Sequence, residues 1–195
     1  MPRPEVGHSG CMQLASGMLL VATPVLQDPN FADTVVLLLD VTEEGALGVV
    51  LNRPSQIMVA DVLEPWRDVV AEPEVLFRGG PVGTDGALAV GALRDPQDPP
   101  VGWRPVAGLL GMVDLDTPTE LVDGTLSAMR VFAGYAGWGA GQLDGEVEEG
   151  SWYVVTSEAA DAFRQDPGEL WRDVMRRQPG MLAWHVNRPF DPDLN

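Results

Sequence analysis

Two nearly continuous apolar runs, five residues apart, constrain the fold of this chain more than any other feature. Residues 34–40 read TVVLLLD, residues 46–52 read ALGVVLN, and the five residues between them end in a glycine. Runs of β-branched and aliphatic residues at this spacing predict a β-hairpin. A strand that is apolar on both faces is typical of a sheet covered on both sides. We therefore expect a central sheet with helices packed against it.

Three segments are candidates for the covering helices. Apolar residues recur at helical spacing over residues 59–70, although Pro65 divides this segment into two pieces. Residues 117–126 and 166–178 open with the sequences TPTE and DPGE, which combine a capping side chain, a proline and a glutamate. These patterns predict a helix in each of the two segments.

Shorter apolar runs predict further strands, at residues 18–22, 74–77, 130–134 and 152–156. Strands and helices alternate irregularly and no unit recurs at a fixed period, which argues against solenoids, propellers and a doubly wound sheet. The sequence therefore predicts an α+β fold. Because residues 94–100 (RDPQDPP) are interpreted as a surface loop, we expect one domain over residues 14–195, preceded by a flexible tail over residues 1–13.

The formal net charge of −17 arises from 29 acidic and 12 basic residues, and every basic residue is an arginine. A surface of that sign repels phosphate backbones and anionic lipid headgroups, so net charge argues against nucleic acid as a partner. No segment approaches the run of about 18 apolar residues that a membrane span requires. The first residues lack the apolar stretch of a secretory signal. We expect a cytoplasmic protein with no membrane partner.

Residues for nucleophilic, metal or cofactor chemistry are scarce. The chain has two histidines, His8 and His185, and one cysteine, Cys11; His185 has no histidine or cysteine at metal-ligand spacing, and the three together are too few for a structural zinc site. The lack of lysine excludes Schiff-base and P-loop lysine chemistry. We predict no bound metal, no cofactor and no identifiable catalytic residue, and this composition favours a non-enzymatic role.

Two charged clusters have structural interpretations. Arg172, Arg176 and Arg177 lie in the last turns of a predicted helix, where the helix dipole favours cations. The alternative for these arginines is a phosphate-binding patch. The acidic residues among positions 144–149 are interpreted as the solvated face of a helix.

Glycine-rich segments that follow predicted strands are the strongest candidates for a binding surface. Residues 77–82 (FRGGPV) are one, and residues 134–143 (GYAGWGAGQL) are predicted to form a loop between a strand and a helix. Glycines let backbone N–H groups approach a bound group closely. The candidate ligand or partner surface comprises Asn52, Gly79, Gly80, Tyr135, Trp138 and Gln142. The alternative is that the glycines serve close packing and that Trp138 is a core residue.

Several short motifs occur in order along the chain. They include DPNF at residues 28–31, EGALGVVLNRP at 44–54, GGPV at 79–82, FAGYAGW at 132–138 and GQL at 141–143. Together they resemble the YqgE/AlgH family of bacterial proteins over nearly the whole chain. The resemblance implies a single α+β domain with a mixed, bent, partly barrel-like sheet flanked by helices. It implies no activity, because the family has no established reaction or ligand.

One position departs from the family pattern. Many relatives place a histidine shortly before the EGALG segment, where this chain has Val41. Any acid–base or metal role of that histidine is therefore absent here.

These features support three hypotheses of function. The first is a non-enzymatic cytosolic binding or regulatory module that engages an unidentified protein or small molecule through the glycine-rich segments. The second is an enzyme that relies on carboxylates and backbone amides, which requires a carboxylate whose pKa is shifted by burial. The third is a transcriptional regulator, the role that the label of the YqgE/AlgH family suggests. The net charge of the chain argues against this role.

Overall fold

The computed structural model describes residues 13–178, which form ten strands, three short α-helices and four 3₁₀ turns. The strands are β1 (Met18–Ala22), β2 (Val35–Thr42), β3 (Gly45–Val50), β4 (Pro54–Met58), β5 (Val75–Arg78), β6 (Val82–Leu93), β7 (Trp103–Ala107), β8 (Leu110–Val113), β9 (Leu126–Gly139) and β10 (Trp152–Thr156). The helices are α1 (Val59–Val62), α2 (Gln142–Glu148) and α3 (Leu170–Arg176). The 3₁₀ turns are Glu64–Trp66, Thr119–Leu121, Ala159–Phe163 and Pro167–Glu169. Residues 1–12 of the predicted tail lie outside the described residues.

The ten strands form one mixed sheet that curls into a half-barrel. Its order is β10-β1-β2-β3-β9-β6-β8-β7, and β5 pairs with both β4 and β9. Neighbouring strands are antiparallel except β5 and β9, which run parallel. The α+β class and the bent, partly barrel-like sheet are confirmed, while the helices are fewer and shorter than the sequence predicts.

Strand β2 is buried on both faces, as its uninterrupted apolar sequence predicts. Val35, Leu37 and Leu39 pack in a core shared with α3 and with residues from most of the other strands. Val36 and Leu38 pack in a second core, which includes residues of α2. Because successive side chains of a strand point to opposite faces, a strand of this composition needs cover on both sides, and the two helices supply part of it.

Strand β9 changes its neighbour along its length. One edge pairs with β6, while on the other edge Phe132 and Ala133 pair with β5 and residues 136–139 pair with β3. The sequence predicts a strand only over residues 130–134 and a glycine-rich loop after it. The loop prediction was wrong, because Tyr135 pairs with Val82 of β6 and residues 136–139 pair with β3, which keeps these residues in the sheet.

Two predicted helices are reduced to single turns. Helix α1 is followed by a 3₁₀ turn that contains Pro65, whose backbone has no N–H to continue a helix. Residues 117–126 contain only a 3₁₀ turn, because Gly124 takes a left-handed φ of 74° and Leu126 already belongs to β9. The first segment is therefore divided as its proline predicts, and the second is cut short by the start of β9.

The helix start at DPGE is confirmed, whereas four strands had no counterpart in the sequence analysis. Asp166 accepts a hydrogen bond from the Gly168 N–H at 3.2 Å, and the chain passes through a 3₁₀ turn into α3. Strands β4, β6, β7 and β8 were missed. The first half of β6 is exposed and contains glycine, β4 and β7 contain proline, and β8 has only four residues, one of them glycine, so none of the four shows a strong strand pattern.

Candidate functional site

A cleft of about 310 Å³ opens beside β9, where the neighbour of that strand changes from β5 to β3. Its polar lining comes from Asn30, Arg53, Arg78 and Thr84, together with the backbone of Gly80. Val50, Pro81 and Ala133 form the apolar part of the wall. The DPNF, NRP and GGPV motifs all contribute residues to this one cleft.

Asn52 fixes the loop before β2 to the end of β3. Its side-chain oxygen accepts the Val35 N–H at 3.0 Å, and its amide nitrogen donates to the Asp33 carbonyl at 2.8 Å. Asp33 has a φ of 58°, a conformation that needs such support in a residue with a side chain. Both ends of the Asn52 amide are therefore used within the protein, and this candidate residue shapes the cleft from outside its lining.

Arg53 holds the same loop through backbone carbonyls. Its two terminal guanidinium nitrogens donate to the carbonyls of Pro29 at 2.8 Å and Ala32 at 2.9 Å. These bonds fix the guanidinium at the cleft without a carboxylate partner among the described residues. A planar group held in this way keeps its charge and part of its N–H donors available.

Gly79 and Gly80 allow the chain after β5 to lie directly against β9. A Cβ atom on Gly79 would lie 2.2 Å from the Gly134 carbonyl oxygen, and one on Gly80 would lie 2.2 Å from the Tyr135 carbonyl group. Backbone atoms stand at both positions, so no side chain fits. These two candidates therefore provide the close backbone approach that places Arg78 at the cleft.

The electrostatics of the cleft differ from those of the chain as a whole. None of the described residues that line it is acidic, although the sequence has 29 acids and 12 basic residues. Arg78 is exposed, and within residues 13–178 it makes no side-chain hydrogen bond or ion pair. The cleft thus has two guanidinium groups whose charges no described carboxylate neutralises.

The arginines of α3 and the residue after it lie in a different setting. Each has a carboxylate partner: Arg172 with Glu169, Arg176 with Asp173, and Arg177 with Asp161. A hydrogen bond from Arg164, reinforced by the charges of Arg164 and Arg176, lowers the pKa of Asp173, and the hydrogen bond to Asp161 raises the pKa of Arg177. Because these charges are already paired, this region offers little free positive charge to a phosphate group.

Tyr135 lies next to Gly80 in the backbone, but its side chain belongs to a separate pocket of about 270 Å³. Gly83 and Asp85 line that pocket with it. A carboxylate shares the pocket, so its charge differs from that of the arginine-lined cleft. The structure therefore places the Tyr135 ring beside the proposed binding surface and outside the cleft itself.

Trp138 and Gln142 lie at the far end of β9 and bind Glu146 of α2. The indole N–H groups of Trp138 and Trp152 both donate to one Glu146 oxygen, at 2.9 and 2.8 Å, and the Gln142 amide donates to the other at 2.9 Å. Phe31 stacks on Trp138 with ring centroids 6.1 Å apart. The prediction of a solvated acidic face was wrong for Glu146, because tryptophans from two strands cover it.

Arg130 of β9 is buried in the core, and no pattern in the sequence predicts this. Its guanidinium donates to the carbonyls of Glu72, Ala162 and Arg164 at 2.7 to 2.9 Å and lies 4.2 Å from the centre of the Phe77 ring. Burial lowers the pKa of Arg130 to about 10, so the group stays charged at neutral pH. These bonds fix the peripheral segments to β9, and the role is structural.

A larger pocket of about 460 Å³ lies along β7 and β8. It contains Arg104, but Asp114 and Asp116 line it as well. The ring of Trp103 packs over Gly111, where a Cβ atom would lie 2.3 Å from it. Since the two acids outnumber the single arginine, this pocket has no surplus of positive charge.

The two histidines and the cysteine fall outside the described part of the chain. His8, Cys11 and His185 are not among residues 13–178. Within those residues, no group of three or more His, Cys, Asp and Glu side chains is placed to hold a metal ion. None of the helices in the same residues is long and apolar enough to cross a membrane.

The polar residues of the cleft, Asn30, Arg53, Arg78 and Thr84, were not predicted as site residues. One available signal was the distribution of acids, since no Asp or Glu occurs over residues 45–60 or residues 75–84. An arginine within such a segment has no acidic neighbour along the chain, which is unusual for this composition. Arg104 and Arg130 also lie in acid-free segments, although they do not line the cleft. The distribution of acids by itself therefore does not identify the cleft arginines.

The fold and the cleft define a single-domain α+β half-barrel protein. The family model described as AlgH-like matches residues 19–183, and the chain belongs to this family. A UPF0301 protein of Streptomyces coelicolor is 53% identical, with 96% of this chain and 100% of that protein covered. A UPF0301 protein of Mycobacterium leprae is 40% identical, with 94% and 92% covered. The resemblance found in the sequence is confirmed.

Two solved structures share the fold. A crystal structure of a protein from Corynebacterium diphtheriae has a TM-score of 0.86 and 34% identity, and covers 91% of this chain and 94% of its own. The solution structure of the AlgH protein of Pseudomonas aeruginosa, a UPF0301 protein, has a TM-score of 0.67 and 27% identity, with 92% and 100% covered. Val41 pairs with Ala46 and packs against the second core.

Proposed function

We propose that this protein is a non-enzymatic binding module, and that it takes a small anionic molecule in the cleft beside β9. One observation carries this proposal. In a chain with a net charge of −17, two arginines line the same cleft and no acidic residue lines it among those described. Guanidinium groups recognise carboxylate and phosphate groups with good geometry, so an anion is the ligand that this lining favours.

The hydrogen bonds and backbone contacts that hold the cleft residues in place favour ligand binding without large rearrangement. Arg53 is held by two carbonyls, Asn52 fixes the adjoining loop, and the backbone at Gly80 touches β9. A site whose groups are already in place loses little conformational entropy when a ligand binds. The volume of about 310 Å³ lies at the lower end of the range for small-molecule sites, about 300–1,000 Å³.

The two other hypotheses receive less support from the cleft. An enzyme based on carboxylates needs an acidic residue with a shifted pKa at the site, and none of the described lining residues is acidic. A nucleic-acid-binding regulator needs several unpaired arginines on one surface. The arginines at α3 are paired with carboxylates, and the net charge opposes a polyanion.

Titration with multivalent anions tests the proposal. The full chain, labelled with ¹⁵N, is titrated with citrate and with pyrophosphate at constant ionic strength, and with glycerol as a neutral control. We expect saturable shifts of the amide signals of Asn30, Gly80 and Thr84 with the anions alone. The Arg78→Ala variant should lose this response and Arg172→Ala should keep it. Unsaturable shifts, or an unchanged response in Arg78→Ala, would contradict the proposal.

A further inference from the structure

We infer that the anion recognised in the cleft is a phosphate monoester dianion on a small molecule; this inference rests on the proposed binding function. The charges supply the first reason. Two guanidinium groups line the cleft, none of its described lining residues is acidic, and neither guanidinium forms an ion pair with a described carboxylate. A phosphate monoester has a charge of about −1.5 to −2 at pH 7. It therefore neutralises both arginines, whereas a carboxylate, a sulfate ester or a phosphodiester neutralises one.

The hydrogen-bond donors supply the second reason. Arg53 uses two of its nitrogens on backbone carbonyls, and Arg78 uses none of its own within the described residues. Asn30 and Thr84 add an amide and a hydroxyl group at the same cleft. A phosphate monoester offers three terminal oxygens with strong acceptor character, so it can accept from more of these groups than a planar carboxylate can.

The two arginines have different parts in this recognition. Arg53 is fixed by the Pro29 and Ala32 carbonyls before any ligand arrives. Arg78 is exposed and unpaired among the described residues, so its side chain is free to turn towards a bound phosphate. Arg53 therefore defines where the phosphate group lies, and Arg78 adds a two-pronged contact that a lysine cannot reproduce.

The dimensions of the cleft indicate the size of the rest of the ligand. Val50, Pro81 and Ala133 form a short apolar wall next to the polar groups. A volume of about 310 Å³ admits a phosphorylated small metabolite and is too small for a dinucleotide. A duplex or a long phosphodiester strand would also face the acidic surface around the cleft.

Three probes that share a phenyl ring test this inference by isothermal titration calorimetry on the full chain. Phenyl phosphate and phenyl sulfate differ in the anionic group alone, and benzoate presents a planar carboxylate directly on the ring. At pH 7.5 we expect phenyl phosphate to bind at least about tenfold more tightly than the other two, a difference of about 1.4 kcal/mol. At pH 5.5 that advantage should fall, because the second pKa of a phosphate monoester is about 6.

Variants identify the groups responsible. Arg78→Ala should weaken phenyl phosphate binding by about tenfold or more, and Arg78→Lys should recover only part of it, because lysine keeps the charge and loses the fork. Arg172→Ala is the matched control and should bind like the parent. Circular dichroism at both pH values checks that every variant is folded.

The outcomes separate this inference from the proposed function. Equal affinity for all three probes without pH dependence, but with loss in Arg78→Ala, would overturn the phosphate assignment and leave the anion site in place. No saturable binding of any probe, together with no response to citrate or pyrophosphate, would overturn both. Much tighter binding of a phosphoserine peptide than of phenyl phosphate would overturn the assignment to a small molecule.

Discussion

Charged groups lie at both ends of the glycine-rich half of β9, yet the two ends differ in how those charges are used. At one end, the carboxylate of Glu146 accepts hydrogen bonds from two tryptophans and a glutamine. At the other end, Arg78 has no partner among the described residues, and Arg53 bonds only to carbonyls. A polar group that the fold already satisfies stabilises the fold, whereas an unpaired charge in a cleft is available to a ligand.

The side chains at the two ends of this half of β9 also differ in how deeply they are buried. Trp138 and Trp152 are 6% and 3% exposed, and with Phe31 they form a set of mutually packed rings. Arg78 lies in the open, at the end of β5. We therefore expect substitutions at the Glu146 end to change stability and substitutions at the cleft end to change binding.

Trp138→Ala should have the largest effect on stability. The ring is buried against Phe31 and Trp152, so its removal leaves a cavity and should cost about 3–5 kcal/mol. Urea denaturation followed by circular dichroism measures this loss, and anion binding by the folded fraction should persist. A variant that melts like the parent and no longer binds anions would place the recognition surface at this end of β9.

Glu146→Ala should have the next largest effect. It leaves the indole N–H groups of Trp138 and Trp152 without an acceptor in a largely buried setting, and each unsatisfied group costs about 1–3 kcal/mol. Glu146→Gln keeps one side-chain oxygen as an acceptor and should lose less. Equal stability of the two variants in urea denaturation would show that the carboxylate is not what orders these rings.

Asn52→Ala should have an intermediate effect on stability and should also lower the affinity for anions. It removes the partners of the Val35 N–H and the Asp33 carbonyl, which should cost about 1–3 kcal/mol. Hydrogen exchange at the Val35 amide should become faster. Because the same loop carries Asn30 to the cleft, anion affinity should fall moderately, and unchanged affinity would show that the loop is held by Arg53 alone.

Arg78→Ala should have the smallest effect on stability, within about 0.5 kcal/mol, because an exposed side chain without partners contributes little. Arg172→Ala, which breaks an exposed ion pair, should be similarly mild. The two variants should differ in anion binding, which only Arg78→Ala should lose. A clear loss of stability in Arg78→Ala would show that this arginine is a structural residue.

Strong local patterns were the parts of the fold that the sequence could predict. The continuous apolar run of β2, the hairpin to β3 and the capped start of α3 all appear in the structure where they were expected. The helical segment predicted over residues 59–70 is present as two short pieces, the division that Pro65 predicts, whereas the loop predicted after residue 134 was wrong. Over residues 135–139, pairing with strands that are distant in the sequence outweighed the local tendency of the glycines.

The candidate site could be predicted only in part, because sequence patterns do not show which polar groups are satisfied. Gly79, Gly80 and Asn52 were selected for their place after strands, and they do lie at or beside the cleft. Trp138 and Gln142 were selected by the same rule, yet their polar groups bond to Glu146. The charged residues that line the cleft, Arg53 and Arg78, were not predicted.

The sequence by itself determined the family, the α+β class, the acidic surface and the two-sided burial of the central strand, since each of these depends on composition or on order along the chain. Only the tertiary structure decided which groups surround the four arginines that lie in acid-free segments of the sequence. Arg130 is buried among carbonyls, Arg104 lies beside two aspartates, and Arg53 and Arg78 meet at the cleft. The physical reason is that the free energy of a charge depends on the groups within a few ångströms of it, and the fold brings those groups from distant parts of the chain.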